Sequence, residues 1–311
     1  MRILEKRDLI IIGGGPAGLT AALYVARKVL DTLVLERKNF GGQMIVTDII
    51  ENYPGFPQGI KGIELANFMV EQARKFGAEL REFEPVNKVE FKNESKLVFT
   101  ERQAYEAKAL IIATGAEYRH LNIPGEKELT GKGVSYCAVC DGPIFKDKIV
   151  AVVGGGNTAL QDALYLSDIV SKVYLIHRRE EFRADEIFQN RVLSKKNIET
   201  VLNSEVKAIF GKKAVSAINV FNNKTKQMSE LKVNGVFIAI GQVPLTKLIQ
   251  EAGVKTDVRG YILVNSNQET NIPGVFAAGD VTGGKGQIVI AAGQGAIAAL
   301  SAYEYIKTLS S

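Results

Sequence analysis

The sequence is poor in the residues that build disulfide scaffolds and metal sites. Its 311 residues include only two cysteines and two histidines. Cys137 and Cys140 are three positions apart, whereas a small secreted protein held by disulfides carries more cysteines at longer spacings. A structural zinc ion needs four ligands, but no second Cys-x-x-Cys occurs, and His120 and His177 are isolated. Zinc is therefore disfavoured, which leaves redox chemistry or an inert buried pair.

Long uniform runs are also missing. No segment reaches the roughly 20 uninterrupted apolar residues of a membrane helix, and the basic residues behind the formal charge of +5 are scattered, unlike a nucleic-acid-binding stripe. The basic N-terminus and the apolar run before Gly13 loosely resemble a signal peptide, but Asp8 interrupts them. With 46% hydrophobic and 23% charged residues, we expect a soluble cytoplasmic protein of about two domains.

One strand–turn–helix unit occurs twice. Each copy has a short apolar strand, a glycine-rich turn, a helix and a second strand. The two turns read Gly13-x-Gly15-x-x-Gly18 and Gly154-x-Gly156-x-x-Ala159. The second strands end at Glu36 and His177, which is 23 positions after the first glycine in both copies (36 − 13 and 177 − 154).

These glycines match the needs of a dinucleotide. The first permits a tight turn, the second lets the backbone approach a pyrophosphate, and the third allows the helix to pack on the strand. Either turn alone is also compatible with a glycine turn that binds nothing. Because the downstream spacing matches, we predict an α/β protein with two Rossmann-like dinucleotide-binding domains.

The residue that ends each second strand indicates the nucleotide. Glu36 is suited to accept hydrogen bonds from ribose hydroxyls, so the first domain is predicted to hold FAD or NAD. The second copy has His177-Arg178-Arg179 instead, followed by Arg183. Guanidinium groups suit a 2′-phosphate, so this domain is predicted to hold NADP. A solvated basic face is the alternative, and it fits this position of the motif poorly.

Apolar strands that end in Gly115 and Gly241 follow the two units and indicate an inserted domain. We expect the first domain at 1–117 and 246–311 and the second at 118–245, with hinges near 117–121 and 242–246. A late apolar strand ends at Gly279-Asp280. The aspartate is placed to bind a sugar hydroxyl of the first domain's cofactor, or to cap the next segment.

The cysteine pair lies between the two turns. In a helical turn, thiols at this spacing can close a small disulfide ring, and a helix start would favour the thiolate of Cys137. A partly desolvated Asp141 can exchange a proton with a leaving thiolate. Nicotinamide, flavin and dithiol together predict a flavin-dependent disulfide reductase that ends its electron path at Cys137 and Cys140.

The chain resembles the low-molecular-weight thioredoxin reductases of bacteria and archaea essentially from end to end. The resemblance is carried by Cys137-Ala-Val-Cys140-Asp141, the segment 177–184, Gly41-Gly42-Gln43 and the segment 51–55. It implies a homodimer with non-covalent FAD, a rotating NADP domain, and a thioredoxin or thioredoxin-like disulfide protein as partner. Cys140 would face the flavin, Cys137 would attack the partner's disulfide, and Asp141 would be the acid.

Motifs and resemblance together predict the cofactor-contact residues. For FAD they are Gly13, Gly15, Pro16, Ala17, Gly18, Glu36, Gly41, Gly42, Gln43, Asn52, Val86, Ala113, Thr114, Gly115, Gly279, Asp280, Gln287 and Ile288. For NADPH they are Gly154, Gly156, Asn157, Thr158, His177, Arg178, Arg179, Arg183, Ile240 and Gly241. No metal is expected. The chain departs from the family pattern at Asn157-Thr158, Gln161-Asp162 and Gly286-Gln287-Ile288.

Two other functions fit the same motifs. The electrons could go to a glutaredoxin-like protein or a peroxiredoxin system, or the protein could be a non-catalytic flavin redox sensor. Turnover separates a sensor from an enzyme, because a sensor stops after about one equivalent of reduction per flavin. Flavoproteins of this fold that reduce ferredoxin are disfavoured because they have no need of the cysteine pair.

Overall fold

A computed structural model describes residues 4–47, 49–92 and 95–309. The chain divides into two compact units. The first unit comprises Met1–Glu117 and Val243–Ser311, and the second comprises Tyr118–Gln242. The chain thus passes back into the first unit after residue 242, where this was expected after residue 245.

The described residues form strands and helices that alternate around each glycine turn, and each of these stretches is followed by six consecutive strands. Up to the cysteine pair they are β1 (Leu4–Ile12), α1 (Pro16–Ala26), β2 (Thr32–Leu35), α2 (Gly62–Lys75), β3 (Glu79–Arg81), β4 (Val86–Phe91), β5 (Lys96–Thr100), β6 (Ala104–Ile112), β7 (Ala116–Tyr118) and β8 (Val134–Ser135). From there they are α3 (Ala138–Asp141), β9 (Ile149–Val153), α4 (Asn157–Ser167), β10 (Lys172–Ile176), α5 (Glu186–Ser194), β11 (Ile198–Val201), β12 (Ser204–Gly211), β13 (Val215–Asn222), β14 (Met228–Lys232), β15 (Gly235–Ile238), β16 (Gln242–Pro244), α6 (Lys247–Glu251), β17 (Val275–Ala277) and α7 (Ile288–Thr308).

The first unit is built on five parallel strands in the order β3-β2-β1-β6-β17. The second half of β6 pairs with β17, with Leu110 opposite Val275. The first half of the same edge pairs with antiparallel β5, which carries β4. The central strands are continuous apolar runs because both faces of a parallel sheet are buried.

Helices α1, α2 and α7 cover one face of this sheet. Leu9 and Ile11 point into the core under these helices, whereas Ile10 and Ile12 belong to the core on the opposite face. Helix α7 lies very close to the start of α1, since a Cβ on Gly295 would be 2.2 Å from the Ala17 carbonyl oxygen. Among the described residues, no helix is both long and apolar enough to cross a membrane.

The second unit repeats the five-stranded design. Its parallel strands run in the order β11-β10-β9-β15-β8, and β12, β13 and β14 form a separate antiparallel sheet. The predicted α/β fold with two Rossmann-like units is confirmed. Strand β8 takes the position that β17 has in the first unit, although β8 precedes its unit's glycine turn in the chain.

Candidate active site

The first glycine turn joins β1 to α1 and has no room for side chains at two positions. Gly13 has φ +107°, and a Cβ there would lie 2.3 Å from the Ala113 carbonyl oxygen. A Cβ on Gly18 would lie 1.9 Å from the Gly13 carbonyl oxygen. The Gly13 N–H donates to the Leu35 carbonyl oxygen at 2.9 Å. The turn is thus held between the ends of β1, β2 and β6.

Gly15 leaves open space at the start of α1. It is the N-cap residue, with Pro16 in the first helical turn. The nearest atom to a Cβ on Gly15 would be the Gly42 Cα, 3.9 Å away. An uncapped helix start beside glycine backbone is a cradle that fits a pyrophosphate.

Glu36 follows β2 directly and is buried beside this turn. Its Oε2 accepts the N–H of Gly14 at 2.7 Å, and its Oε1 accepts the N–H of Lys38 at 2.8 Å. Both oxygens are therefore held by backbone, and each keeps acceptor capacity for a further donor. This arrangement fits a ribose hydroxyl and not a phosphate.

Gly279 and Asp280 follow β17 and lie against the same turn. Gly279 has φ +84°, and a Cβ there would lie 2.9 Å from the Ala17 Cβ. The Gly279 N–H donates to Oε1 of Gln294 on α7 at 2.9 Å. Burial raises the pKa of Asp280, and a hydrogen bond from the Gly286 backbone lowers it in part. Gln294 has no sequence signature, because its contact depends on how α7 packs.

Other predicted flavin positions form side-chain hydrogen bonds, among them that of Gln43 Nε2 to the Ala116 carbonyl oxygen. Asn52 Nδ2 donates to Gln287 Oε1 at 3.1 Å, across 235 residues of sequence. The Thr114 hydroxyl donates to the Leu245 carbonyl oxygen at 2.9 Å. Val86 begins β4 and packs, partly buried, with the core on the sheet face opposite α1.

The second glycine turn repeats the first. The Gly154 N–H donates to the Ile176 carbonyl oxygen at 3.0 Å, and a Cβ on Gly154 would lie 2.4 Å from the Ala239 carbonyl oxygen. A Cβ on Gly156 would have no neighbour within 4 Å. The open cradle at the helix start is thus present here too, and Ile240 and Gly241 follow directly after Ala239.

His177 lies under this turn. It is 5% exposed, stacks on Phe182 with 5.5 Å between ring centroids, and would be 2.2 Å from a Cβ on Gly155. Burial lowers its pKa, a hydrogen bond with the Glu181 backbone raises it in part, and the charges of Arg183 and its neighbours lower it further. Its buried Nε2 has no hydrogen-bond partner among the described residues.

Arg178, Arg179 and Arg183 are exposed beside His177. The Arg183 N–H donates to the Gly155 carbonyl oxygen at 2.7 Å, which anchors the cluster at the turn. The acidic neighbour Glu180 pairs with Lys224 at 2.8 Å rather than with an arginine of the cluster. Glu180 therefore does not compete with an anionic ligand for the guanidinium groups, and this arrangement fits a 2′-phosphate.

The two cysteines form a disulfide at the end of β8. The sulfur atoms are 2.09 Å apart and the Cα atoms 5.3 Å. Cys137 is the N-cap of α3, and its Sγ accepts the Cys140 N–H at 3.2 Å. The helical turn expected from the spacing is therefore present.

Asp141 ends the same turn. Burial raises the pKa of its carboxyl, and a hydrogen bond from Ser135 lowers it in part. The Ser135 Oγ lies 2.6 Å from Asp141 Oδ2. The sequence alone assigned no role to Ser135. The only indication of one in the sequence is its position two residues before the first cysteine.

Asp162 on α4 is a second carboxyl that sequence reasoning noted only as a departure. Burial raises its pKa to about 6. It lies six residues after Gly156, the spacing that separates Ala21 from Gly15 in the first unit.

Comparisons with known proteins agree with this geometry. The family model described as pyridine nucleotide-disulphide oxidoreductase matches residues 7–295. The thioredoxin reductase of Bacillus subtilis (strain 168) is 46% identical over 304 residues, covering 97% of this chain and 95% of that protein.

Solved structures give the same result. The thioredoxin reductase of Streptococcus pyogenes MGAS5005 is 44% identical with a TM-score of 0.93, covering 98% of this chain and 100% of that one. The thioredoxin reductase of Giardia duodenalis is 38% identical with a TM-score of 0.91, covering 97% and 99%. The chain therefore belongs to the pyridine nucleotide-disulphide oxidoreductase family and, within it, to the low-molecular-weight thioredoxin reductases.

Proposed function

We propose that this chain reduces the disulfide of thioredoxin or a thioredoxin-like protein with electrons from NADPH, using FAD and the Cys137–Cys140 pair. One observation carries the proposal: two dinucleotide-binding turns and one disulfide at a strand end occur in a single chain. Bound FAD supplies the two-electron exchange between nicotinamide and disulfide.

The residues divide between the two cofactors by chemistry. In the first unit, the Gly13–Gly18 turn would hold the FAD pyrophosphate, Glu36 a ribose hydroxyl, and Asp280 a hydroxyl nearer the flavin. In the second, the Gly154–Ala159 turn would hold the NADPH pyrophosphate and Arg178 with its neighbours the 2′-phosphate. The orphaned Nε2 of His177 and the uncapped helix starts support this assignment.

The exchange with the partner balances in atoms and protons. The Cys137 thiolate bonds to one partner sulfur, the partner's S–S bond breaks, and the released thiolate takes the proton of Asp141. The carboxylate then accepts the proton of the Cys140 thiol. The Cys140 thiolate attacks Cys137, restores the enzyme disulfide and releases the second partner thiolate, which takes that proton.

The proposal extends to organisation. The FAD domain would be 1–117 and 246–311, the NADP domain 118–245, and the protein a cytoplasmic homodimer. An exposed apolar surface in the first unit supports self-association, since monomers rarely expose large contiguous apolar patches. It includes Tyr24 and, on α7, Val289, Ile290, Ile297 and Leu300.

Absorption spectroscopy of the purified protein tests the proposal. A bound flavin should bleach on anaerobic addition of NADPH, regain its colour with a thioredoxin disulfide, and turn over many times with both present. A flavin that NADPH cannot bleach would contradict the electron path. Reoxidation only by a glutaredoxin-like protein or a peroxiredoxin would reassign the partner, and a single equivalent of reduction would indicate a sensor.

A further inference from the structure

The hydroxyl of Ser135 contacts both ends of the turn Cys137–Asp141, which carries the disulfide. Its Oγ lies 2.6 Å from Asp141 Oδ2, accepts the Cys137 N–H at 3.1 Å and lies 3.3 Å from the Cys137 carbonyl oxygen. A hydroxyl has one proton to donate. The shorter contact assigns it to the carboxylate, so one side chain bonds both the carboxyl and the backbone of the attacking cysteine.

Ser135 is held by the sheet and not by the turn that it serves. It is the last residue of β8, lies opposite Phe237 of β15 and is 5% exposed. The turn itself is short, since α3 spans only four residues. A hydroxyl fixed by strand pairing can therefore set where the Asp141 carboxyl lies.

We infer that Ser135 is a positioning residue of the proposed dithiol site: it holds one carboxyl oxygen of Asp141 and leaves the other for proton exchange with the sulfurs of Cys137 and Cys140. This rests on the proposed function in one respect, the role of Asp141 as proton donor to the released thiolate. In that step the partner's S–S bond breaks as the Cys137–partner bond forms, and the proton moves from Asp141 to the released sulfur.

The surroundings of Asp141 contain few other ionisable groups. Helix α4 packs against α3 and carries Asp162 and Tyr165, while the following segment Gly142–Phe145 carries none. Burial raises the pKa of Asp141 and the Ser135 bond opposes it. Removal of the hydroxyl should therefore move the Asp141 ionisation to higher pH and leave the carboxyl free to turn away.

Leaving-group dependence distinguishes positioning from a general structural role. The dithiothreitol-reduced protein is oxidised in a single turnover by bis(2-hydroxyethyl) disulfide, whose basic leaving thiolate needs a proton, or by 5,5′-dithiobis(2-nitrobenzoate), whose acidic one does not. Ser135→Ala should slow the first reaction about 10-fold and the second less than about 2-fold. Asp141→Asn should show the same selectivity. It should also abolish the change of rate with pH that reports the ionisation of Asp141, whereas Ser135→Ala should shift that change to higher pH.

Three variants serve as controls. Ser135→Thr, which keeps the hydroxyl, should restore the first rate to within about 3-fold of the parent. Ser167→Ala removes another buried hydroxyl of this unit, one bonded to the Leu164 carbonyl oxygen, and should change neither reaction. Asp162→Asn should leave the pH dependence of the oxidation rate unchanged. If Ser135→Ala does not fold, Ser135→Val compared with Ser135→Thr gives the same test, because the two side chains have the same shape, suit a strand and differ in the hydroxyl.

Equal slowing with both disulfides, or no slowing, would overturn the inference. Loss of the pH dependence of the oxidation rate in Asp162→Asn would also overturn it. Because the assay uses neither NADPH nor thioredoxin, a failure of NADPH to bleach the flavin would refute the proposed function and leave this result intact.

Discussion

The two dinucleotide-binding units share a frame and differ at its strand ends. In both, the first glycine N–H donates to the end of the second strand, and a side chain on that glycine would clash with an alanine carbonyl oxygen, that of Ala113 or Ala239. The second strand then ends in buried Glu36 in one unit and in buried His177 beside exposed arginines in the other. The shared turn fits a dinucleotide, and we propose that the residues after the second strand decide which dinucleotide each unit binds.

The fifth strand shows a larger difference. After β17 the first unit has Gly279-Asp280, whereas after β8 the second has the disulfide and Asp141. The same place beside the central strands thus holds a half-buried carboxyl in both units, and in the second unit it also holds a disulfide. One binding frame can therefore gain a reaction through the residues that follow its fifth strand.

Replacement of Cys140 in the second unit should have the largest effect on activity. Cys140→Ser should leave FAD bound and reducible by NADPH but lower thioredoxin-disulfide reduction by more than about 10³-fold, because the resolving thiolate is lost. Stopped-flow flavin spectra and a coupled turnover assay measure the two steps. Retained turnover would show that the electrons leave by another group.

The arginine cluster should decide between nucleotides. Arg178→Gln with Arg179→Gln should raise KM for NADPH about 100-fold and change KM for NADH little, since each charge-assisted bond contributes about 1.5–3 kcal/mol. Steady-state kinetics with both nucleotides provides the measurement. Equal losses for NADPH and NADH would remove the basis for calling this the NADP unit.

Substitutions at the third position of the two turns should both destabilise the protein, but by different amounts. Gly18→Ala places a methyl 1.9 Å from the Gly13 carbonyl oxygen and should cost about 2–3 kcal/mol of stability, with loss of FAD on purification. Ala159→Gly should cost only about 0.5–1 kcal/mol. Denaturant unfolding and flavin content measure both, and a harmless Gly18→Ala would show that the first turn has room for a methyl group after all.

Asp162→Asn should change stability less than Gly18→Ala does. Asp162 stands where the first unit has buried Ala21, and burial raises its pKa to about 6 from an ordinary 3.8. The folded state therefore binds the proton more tightly, so the contribution of this carboxyl to the free energy of unfolding is greatest below pH 4 and falls as the pH rises to about 6. Asp162→Asn should add about 1–2 kcal/mol to the free energy of unfolding at pH 7.

The same variant should have almost no effect at pH 4, where both side chains are largely neutral in the folded protein. Denaturant unfolding at the two pH values, with Gln161→Asn as an exposed control on the same helix, separates this from a general change in α4. An equal gain at pH 4 and pH 7 would argue against a titrating carboxylate.

Much of the fold was predictable because its signals are local. Both glycine turns, their flanking strands and helices α1 and α4 follow from sterics and from apolar runs within about 30 residues of each other. The contacts of Gln294 with Gly279 and of Asn52 with Gln287 were not predictable, because they depend on how separate segments pack in three dimensions.

The sequence by itself determined that there are two dinucleotide frames, which acid or base ends each of them, and that two thiols are three positions apart. The tertiary structure alone decided that β8 occupies the place of β17, that Gln294 meets Gly279, and that Asn52 meets Gln287. The physical reason is range. A tight turn or a buried strand restricts the residues that form it, whereas a partner across the sheet is set by strand order, which no short stretch of chain encodes.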